Sequence, residues 1–127
     1  MIHRLIAPLA ALALLTLGAP AGAQTAPTAV AKAYIINEIT VTDPAAYAEY
    51  VRLAPAVVAA FGGRYLVRAG VVTPAIGEPP TARIVVVEFP SNQAAADFLA
   101  SAEYQAILPI RRAASTSRAY VVGGVAP

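Results

Sequence analysis

Four consecutive β-branched residues, at positions 84–87, constrain the fold of this chain most. They belong to a predicted strand over residues 82–89, which Pro90 ends. A strand with one face in water usually alternates apolar and polar residues, whereas an unbroken apolar run indicates burial on both faces. We therefore expect this strand to lie in the centre of a sheet.

Three further strands are predicted around it. Alternating side chains rich in aromatic and β-branched residues predict strands over residues 33–41, 64–73 and 118–122. Residues 74–81 contain three prolines and a glycine, which are incompatible with regular strand pairing, so this segment is predicted to be a loop.

Two helical regions separate these strands. Asp43 and Pro44 predict a helix start, because the carboxylate can accept from free backbone N–H groups and proline suits the first helical position. Apolar residues at spacings of three and four carry this helix to about Phe61. Ser91 is predicted to cap a second helix, and a further helical stretch begins near Ser101.

Glycines and prolines limit these helices. The Gly62-Gly63 pair is predicted to end the first helix, because glycine tolerates left-handed backbone angles. Pro55 lies within the first helical pattern and Pro109 within the last, and proline removes a backbone hydrogen bond. We expect a kink or break near Leu53 and a break at Pro109.

The predicted order is strand, helix, strand, strand, helix, strand, which is the α+β, ferredoxin-like βαββαβ arrangement. Both helices would lie on one face of a four-stranded antiparallel sheet. The third strand is apolar in both phases, and the first carries Tyr34 and Ile36 opposite Ile35 and Ile39, so the uncovered face would be a large apolar patch that favours association. We predict a homodimer whose sheets pack face to face, a dimeric α+β barrel.

The amino terminus has the pattern of a signal peptide. Met1, His3 and Arg4 precede an apolar run over residues 5–17, and small residues end at Ala23. The alternative is a retained membrane anchor, but the run is shorter than the roughly 20 residues that span a bilayer. We expect cleavage, a flexible tether over residues 24–32, and a secreted, periplasmic domain over residues 33–125 with no membrane association.

Without the leader, the chain contains no histidine, cysteine, tryptophan or methionine. A serine hydrolase with the usual histidine is therefore excluded, as is haem ligation by histidine, cysteine or methionine. Seven scattered acidic residues predict no metal site, and we expect no cofactor. Removing Arg4 from nine basic residues leaves eight against seven acidic ones, so no nucleic-acid partner is indicated.

Several short motifs occur in a recognisable order. They are Tyr34-Ile35-Ile36, Val41-Thr42-Asp43-Pro44-x-x-Tyr47-x-x-Tyr50, Gly62-Gly63-Arg64-Tyr65-Leu66-Val67-Arg68, Arg83 through Val87-Glu88-Phe89-Pro90-Ser91, and Ser101-x-Glu103-Tyr104-Gln105 with Arg111 downstream. Over nearly the whole predicted domain, the sequence resembles the bacterial family known as domain of unknown function 1330 (DUF1330). The resemblance implies a dimeric α+β barrel, related in shape to small monooxygenases of antibiotic biosynthesis and to muconolactone isomerases.

The chain departs from the family pattern in two places. The family usually has a Glu-Gly pair in the loop between the middle strands, where this chain has Gly77-Glu78. It also tends to have tryptophan or tyrosine ahead of the Ser-x-Glu-Tyr-Gln motif, where this chain has Phe98-Leu99.

Arg111 and Tyr104 form a candidate anion-binding pair. A guanidinium presents a planar fork of donors that matches a carboxylate, and a phenol adds one donor or acceptor. The alternative is that Tyr104 packs beneath its helix while Arg111 makes a surface salt bridge, for example with Glu103.

Acidic residues and other tyrosines form a second set of candidates. Glu38 and Glu88 lie in neighbouring strands and could act as acid and base, or could be solvated or paired with Arg83 or Arg68. Asp43 could be a general base, although helix capping is the plainer explanation. A ligand pocket or an ordinary core could contain the remaining tyrosines, which are Tyr34, Tyr47, Tyr50 and Tyr65.

Two functions fit these observations. The first is an exported, cofactor-independent enzyme of isomerase or oxygenase type that acts on a small organic acid. Arg111 would bind the substrate, Tyr47 and Tyr65 would line the pocket, and Tyr104 or Glu88 would transfer protons. The alternative is a non-catalytic periplasmic module that binds a small organic acid or an aromatic ligand, or that serves in stress.

Overall fold

The computed structural model describes Gly18, Gly22, Ala23 and residues 25–127. Apart from those first three residues, the predicted leader lies outside the described residues. Residues 25–32 have no regular secondary structure and are mostly exposed. No helix in the described part of the chain is both long and apolar enough to cross a membrane.

Four strands form one antiparallel sheet in the order β2-β3-β1-β4. The strands are β1 (Ala33–Val41), β2 (Arg64–Arg68), β3 (Arg83–Phe89) and β4 (Ser115–Gly123). Three helices connect them, namely α1 (Pro44–Ala60), α2 (Asn92–Ala100) and α3 (Ala102–Ala114). The predicted ferredoxin-like order and the central position of the 82–89 strand are confirmed.

The helices begin where their capping residues predicted. The Asp43 carboxylate accepts a hydrogen bond from the Ala46 amide at 3.0 Å, and Pro44 occupies the first turn. The Ser91 hydroxyl accepts from the Ala94 amide at 3.0 Å. Such caps satisfy donors that have no partner inside the helix, so these starts could be read from the sequence.

The predicted breaks at the prolines are wrong. Both α1 and α3 continue through Pro55 and Pro109. In α1, Tyr47 before the proline and Val58 after it are both buried in the core. Burial of this continuous apolar stripe outweighs the loss of one backbone hydrogen bond.

Two strands differ in length from their predictions. Strand β2 ends at Arg68 rather than residue 73, because Ala69 has a left-handed φ of 57° and turns the chain away from the sheet. Strand β4 begins at Ser115 rather than residue 118, because its first residues continue the pairing with β1 up to Val41.

The helices cover one face of the sheet and leave the other uncovered. Ile35 and Ile39 of β1 and Val87 of β3 point under the helices and are buried. The side chains on the opposite face are mostly apolar. This second surface, called the open face below, consists of Tyr34, Ile36, Val67, Ile84, Val86, Tyr120 and Val122.

Ion pairs border the open face at its two ends. At one end Glu88 pairs with Lys32 and Arg64, each at 2.9 Å, and at the other Glu38 pairs with Arg118. The apolar residues between them are only partly buried within the single chain. The predicted uncovered apolar face is therefore present.

Candidate anion site

A cavity of about 50 Å³ lies between the covered face of the sheet and the helices. By volume it holds on the order of four water molecules, or a small organic group in their place. Its polar wall consists of Asn37, Tyr47, Tyr50, Tyr65, Arg68, Arg83, Tyr104 and Arg111. Aliphatic and aromatic side chains, among them Ile39, Val87 and Phe98, form the remainder.

Arg111 is the most buried of the charged residues that line this cavity, with only 5% of its surface exposed. Its Nη2 donates to Asn37 Oδ1 at 3.0 Å and to Ser117 Oγ at 3.1 Å, while Nη1 donates to the Tyr104 hydroxyl at 3.3 Å. These three oxygens come from β1, β4 and α3. The guanidinium is therefore fixed by neutral acceptors from three elements.

The positive charge of Arg111 has no counter-ion. None of the four ion pairs in the described part of the chain includes Arg111, and all seven acidic residues lie in that part. The Nε atom of Arg111 is buried and has no hydrogen-bond partner. A buried charge without a paired anion is unfavourable, so this arrangement favours an external anion.

Two more arginines border the cavity. The Arg83 guanidinium carbon lies 5.2 Å from the centroid of the Tyr47 ring, and Arg83 Nε is buried without a partner. The exposed Arg68 lies over the Tyr65 ring at 4.6 Å. Among the described residues, no aspartate or glutamate lines the cavity, so its potential is positive.

Three tyrosines of the cavity, Tyr47, Tyr50 and Tyr65, keep their phenol protons at physiological pH. Burial raises the pKa of the Tyr50 phenol strongly, and it also raises the pKa values of Tyr47 and Tyr65. The neighbouring arginines oppose this effect on the pKa values, but desolvation is the larger influence in each case. Neutral phenols can donate hydrogen bonds to an anion, whereas phenolates would repel it.

Four of the five predicted site residues come together here. Arg111, Tyr104, Tyr47 and Tyr65 all line the one cavity. The predicted surface salt bridge between Arg111 and Glu103 is wrong, because the Arg111 side chain turns inward to Asn37. Tyr104 is itself buried and stacks against Phe98 with ring centroids 4.5 Å apart.

Glu88, the fifth predicted residue, is not part of this site. It lies on the open face, on the other side of the sheet from the cavity, where it accepts hydrogen bonds from Lys32 and Arg64. These bonds lower the pKa of Glu88 below its usual value, which favours a permanent carboxylate. The structure therefore does not bring Glu88 to Arg111.

Other predicted contacts also differ. Glu38 pairs with Arg118 on the open face rather than with Arg83 or Arg68, and this contact lowers the Glu38 pKa. Tyr34 belongs to the open face and does not line the cavity with the other tyrosines. Asp43 is exposed and serves as a helix cap.

Sequence reasoning missed Asn37 and assigned Arg83 only to an ion pair. Asn37 points to the same side of β1 as the buried Ile35 and Ile39. A polar residue among alternating apolar residues indicates a buried polar group, so the sequence pattern could have identified Asn37 as a candidate. Arg83 shares the inward phase of β3 with Val87. Knowing the side of the sheet to which Asn37 and Arg83 point does not by itself show that they share a site with Arg111.

The family model of domain of unknown function (DUF1330) matches residues 32–125. The chain belongs to this family. The match extends from the residue before β1 to just beyond β4, and so includes every element that lines the cavity. The membership that the motifs indicated is therefore confirmed.

Solved structures similar to this DUF1330 chain share its fold. RPA0582, a protein of unknown function from Rhodopseudomonas palustris, is 21% identical, with a TM-score of 0.60 over 80% of this chain and 88% of that one. A conserved protein of unknown function from Bacteroides thetaiotaomicron, described as a possible oxidoreductase, is 6% identical, with a TM-score of 0.50 over 73% and 97%.

A third similar structure is SnoaB, a cofactor-independent oxygenase from Streptomyces nogalater. It is 19% identical, with a TM-score of 0.46 over 77% of this chain and 97% of that one. No curated protein matches the sequence significantly. At identities this low, similarity to solved structures establishes the α+β fold and leaves the activity to be argued from the site.

Proposed function

We propose that this DUF1330 protein binds a small organic anion, specifically a carboxylate, in the cavity between its sheet and helices. The observation that carries the proposal is the buried Arg111 guanidinium, which has neutral hydrogen-bond acceptors and no carboxylate partner. A bound anion would compensate this charge and give Nε an acceptor.

The chemistry of the wall favours a carboxylate. The Nε–H of Arg111 is free to donate to a carboxylate oxygen, and the negative charge of that group would balance the guanidinium. Neutral phenols such as Tyr50 can donate further hydrogen bonds, and apolar side chains such as Val87 and Phe98 suit a hydrocarbon tail.

A cofactor-independent enzyme that acts on the same anion is the second candidate. The Tyr104 hydroxyl already accepts a hydrogen bond from Arg111, so it is placed to meet a bound carboxylate and to transfer a proton. Glu88 has no part in this scheme, because it lies across the sheet. The raised pKa of Tyr50 opposes phenolate formation by that residue at neutral pH, so Tyr50 is not a base in this scheme.

The cellular setting is also part of the proposal. A leader ending near Ala23 supports export to the periplasm, and the apolar open face supports a homodimer in which two sheets cover one another. Since the cavity lies on the other side of the sheet, each subunit would keep its own anion site.

Ligand-dependent stabilisation tests the proposed site. Thermal unfolding should shift upward with butyrate or benzoate and should not shift with the corresponding primary amides, which lack the charge. An Arg111→Gln variant should lose this response, whereas Arg52→Gln, which removes an exposed charge on α1, should retain it. Equal shifts with acids and amides, or an unchanged response in Arg111→Gln, would refute the carboxylate site.

A further inference from the structure

We infer that the ligand is a short dicarboxylate whose two carboxylates bind Arg111 and Arg83. This inference rests on the proposed anion site and adds the class of anion. Its basis is that two separate guanidinium groups in one cavity both lack a partner for a buried donor.

The two unsatisfied donors are equivalent in kind. Arg111 Nε and Arg83 Nε are the two buried side-chain polar atoms in the described part of the chain that have no hydrogen-bond partner. Buried donors are almost always satisfied, so each such exception requires an explanation. A ligand with one carboxylate could satisfy one of them, whereas a ligand with a carboxylate at each end could satisfy both.

Arg111 and Arg83 each line a different surface depression in addition to the cavity. Arg111 also borders a surface depression of about 450 Å³ beside Leu108 and Ser115. Arg83 also borders a second depression, of about 390 Å³, beside Val41 and Pro44. Each of the two arginines is therefore shared between the cavity and a depression of its own, and a ligand held by both would lie within the cavity.

The sheet register offsets the backbone of Arg83 from that of Asn37 along the strand direction. Asn37, which holds Arg111, pairs with Val85, whereas Arg83 pairs with Ile39. Two residues along a strand correspond to about 6.6–6.8 Å. The attachment point of Arg83 and the residue that holds Arg111 therefore lie at separate positions along the sheet.

Each arginine lies near one of two neighbouring tyrosines. The Arg83 guanidinium carbon is 5.2 Å from the Tyr47 ring centroid, and that of Arg111 is 5.9 Å from the Tyr50 centroid. The two ring centroids are 5.6 Å apart. A short aliphatic chain could contact this aromatic surface while its charged ends reach the guanidinium groups.

Charge balance leads to the same class of ligand. Of the seven acidic side chains, all in the described part of the chain, none lines the cavity, so a monoanion would leave one of the two guanidinium groups uncompensated. Arg68, the third arginine, is exposed to water and needs no ligand. A dianion would compensate the charges of the buried Arg111 and the partly buried Arg83 without any change in the protein.

Paired ligands of equal carbon number test this inference. Titration calorimetry at constant ionic strength would compare malonate with propionate, succinate with butyrate, and glutarate with valerate. We expect at least one dicarboxylate to bind about tenfold or more tightly than its monocarboxylate counterpart. In Arg83→Gln that preference should disappear while monocarboxylate binding persists, and Arg52→Gln should behave as the parent.

The outcomes separate the two proposals. Monocarboxylates that bind as tightly as every dicarboxylate would overturn the dicarboxylate inference and leave the anion site standing, as would a dicarboxylate preference that survives Arg83→Gln. If neither series binds, the anion site itself is wrong. The comparison within the parent protein is decisive even if Arg83→Gln fails to fold.

Discussion

The Arg111 guanidinium on α3 donates a hydrogen bond to the Asn37 side-chain oxygen on β1 at 3.0 Å, across 74 positions of sequence. The Asn37 amide in turn donates to the Val85 carbonyl on β3 at 3.4 Å. The amide thus links the charged group to both central strands. Asn37 is therefore one of the three neutral acceptors that hold Arg111 at the cavity without neutralising its charge.

Replacing Asn37 by aspartate should abolish anion binding without unfolding the protein. The new carboxylate would lie beside Arg111 Nη2 and would occupy the guanidinium that the ligand needs. We expect ligand affinity, measured by calorimetry, to fall by about tenfold or more, with a melting temperature equal to or above that of the parent.

Asn37→Ala is the matched control for this substitution. It removes the acceptor of Arg111 and supplies no new charge, so the free energy of unfolding should fall by roughly 1.5–3 kcal/mol. Parent-like affinity in Asn37→Asp would show that the anion does not bind at Arg111.

Tyr50 should make the protein sensitive to alkaline pH. Burial raises the pKa of its phenol above the ordinary value of 10.0, so the folded chain retains this proton where the unfolded chain loses it. Above about pH 10 the unfolded state therefore binds fewer protons, and the free energy of unfolding falls as pH rises.

Urea unfolding from about pH 8 to about pH 11 checks this dependence, because the linkage appears only above the ordinary pKa of a phenol. Tyr50→Phe should lose less stability over that interval than the parent, since its ring has no proton to lose. Parallel stability profiles for the two proteins would contradict the assignment.

Gly63 is predicted to tolerate no side chain. A Cβ atom there would lie 2.6 Å from Val58 Cγ1 and 2.8 Å from Phe89 Cε1, and Phe89 is fully buried. Gly63→Ala should therefore lower the free energy of unfolding by about 1–3 kcal/mol through overpacking. Gly70→Ala is the control, because its Cβ would meet no atom within 4 Å. Equal stabilities of the two variants in urea would disprove this explanation.

A charge on the open face should prevent the proposed homodimer. Ile36 pairs with Val86 on one side and Tyr120 on the other, which places it within the apolar surface. We expect the parent to have twice the mass of the chain in light scattering and Ile36→Lys to have the monomer mass. Ala56→Lys, on an exposed part of α1, should remain dimeric. A monomeric parent protein would rule out this assembly.

Local sequence determined where most elements of this protein begin and end. Asp43 and Ser91 mark helix starts because capping depends on a side chain and the backbone of the next turn. The boundaries of β1 follow directly from its alternating pattern. The extents of α1 and β2 did not follow, because core packing carries α1 past Pro55 and a left-handed Ala69 ends β2 early.

The candidate site depended on which face of the sheet the helices cover. In β3, Val85 and Val87 point to one face of the sheet, and Ile84 and Val86 point to the other. Because both sets are apolar, the sequence alone does not show which face the helices cover. Tertiary packing placed the Val87 phase inward, which brought Arg83 to the cavity and left Glu88 outside. The sequence thus determined the strand, the alternation and the candidate charges, whereas only the docking of the helices decided which charges share a site.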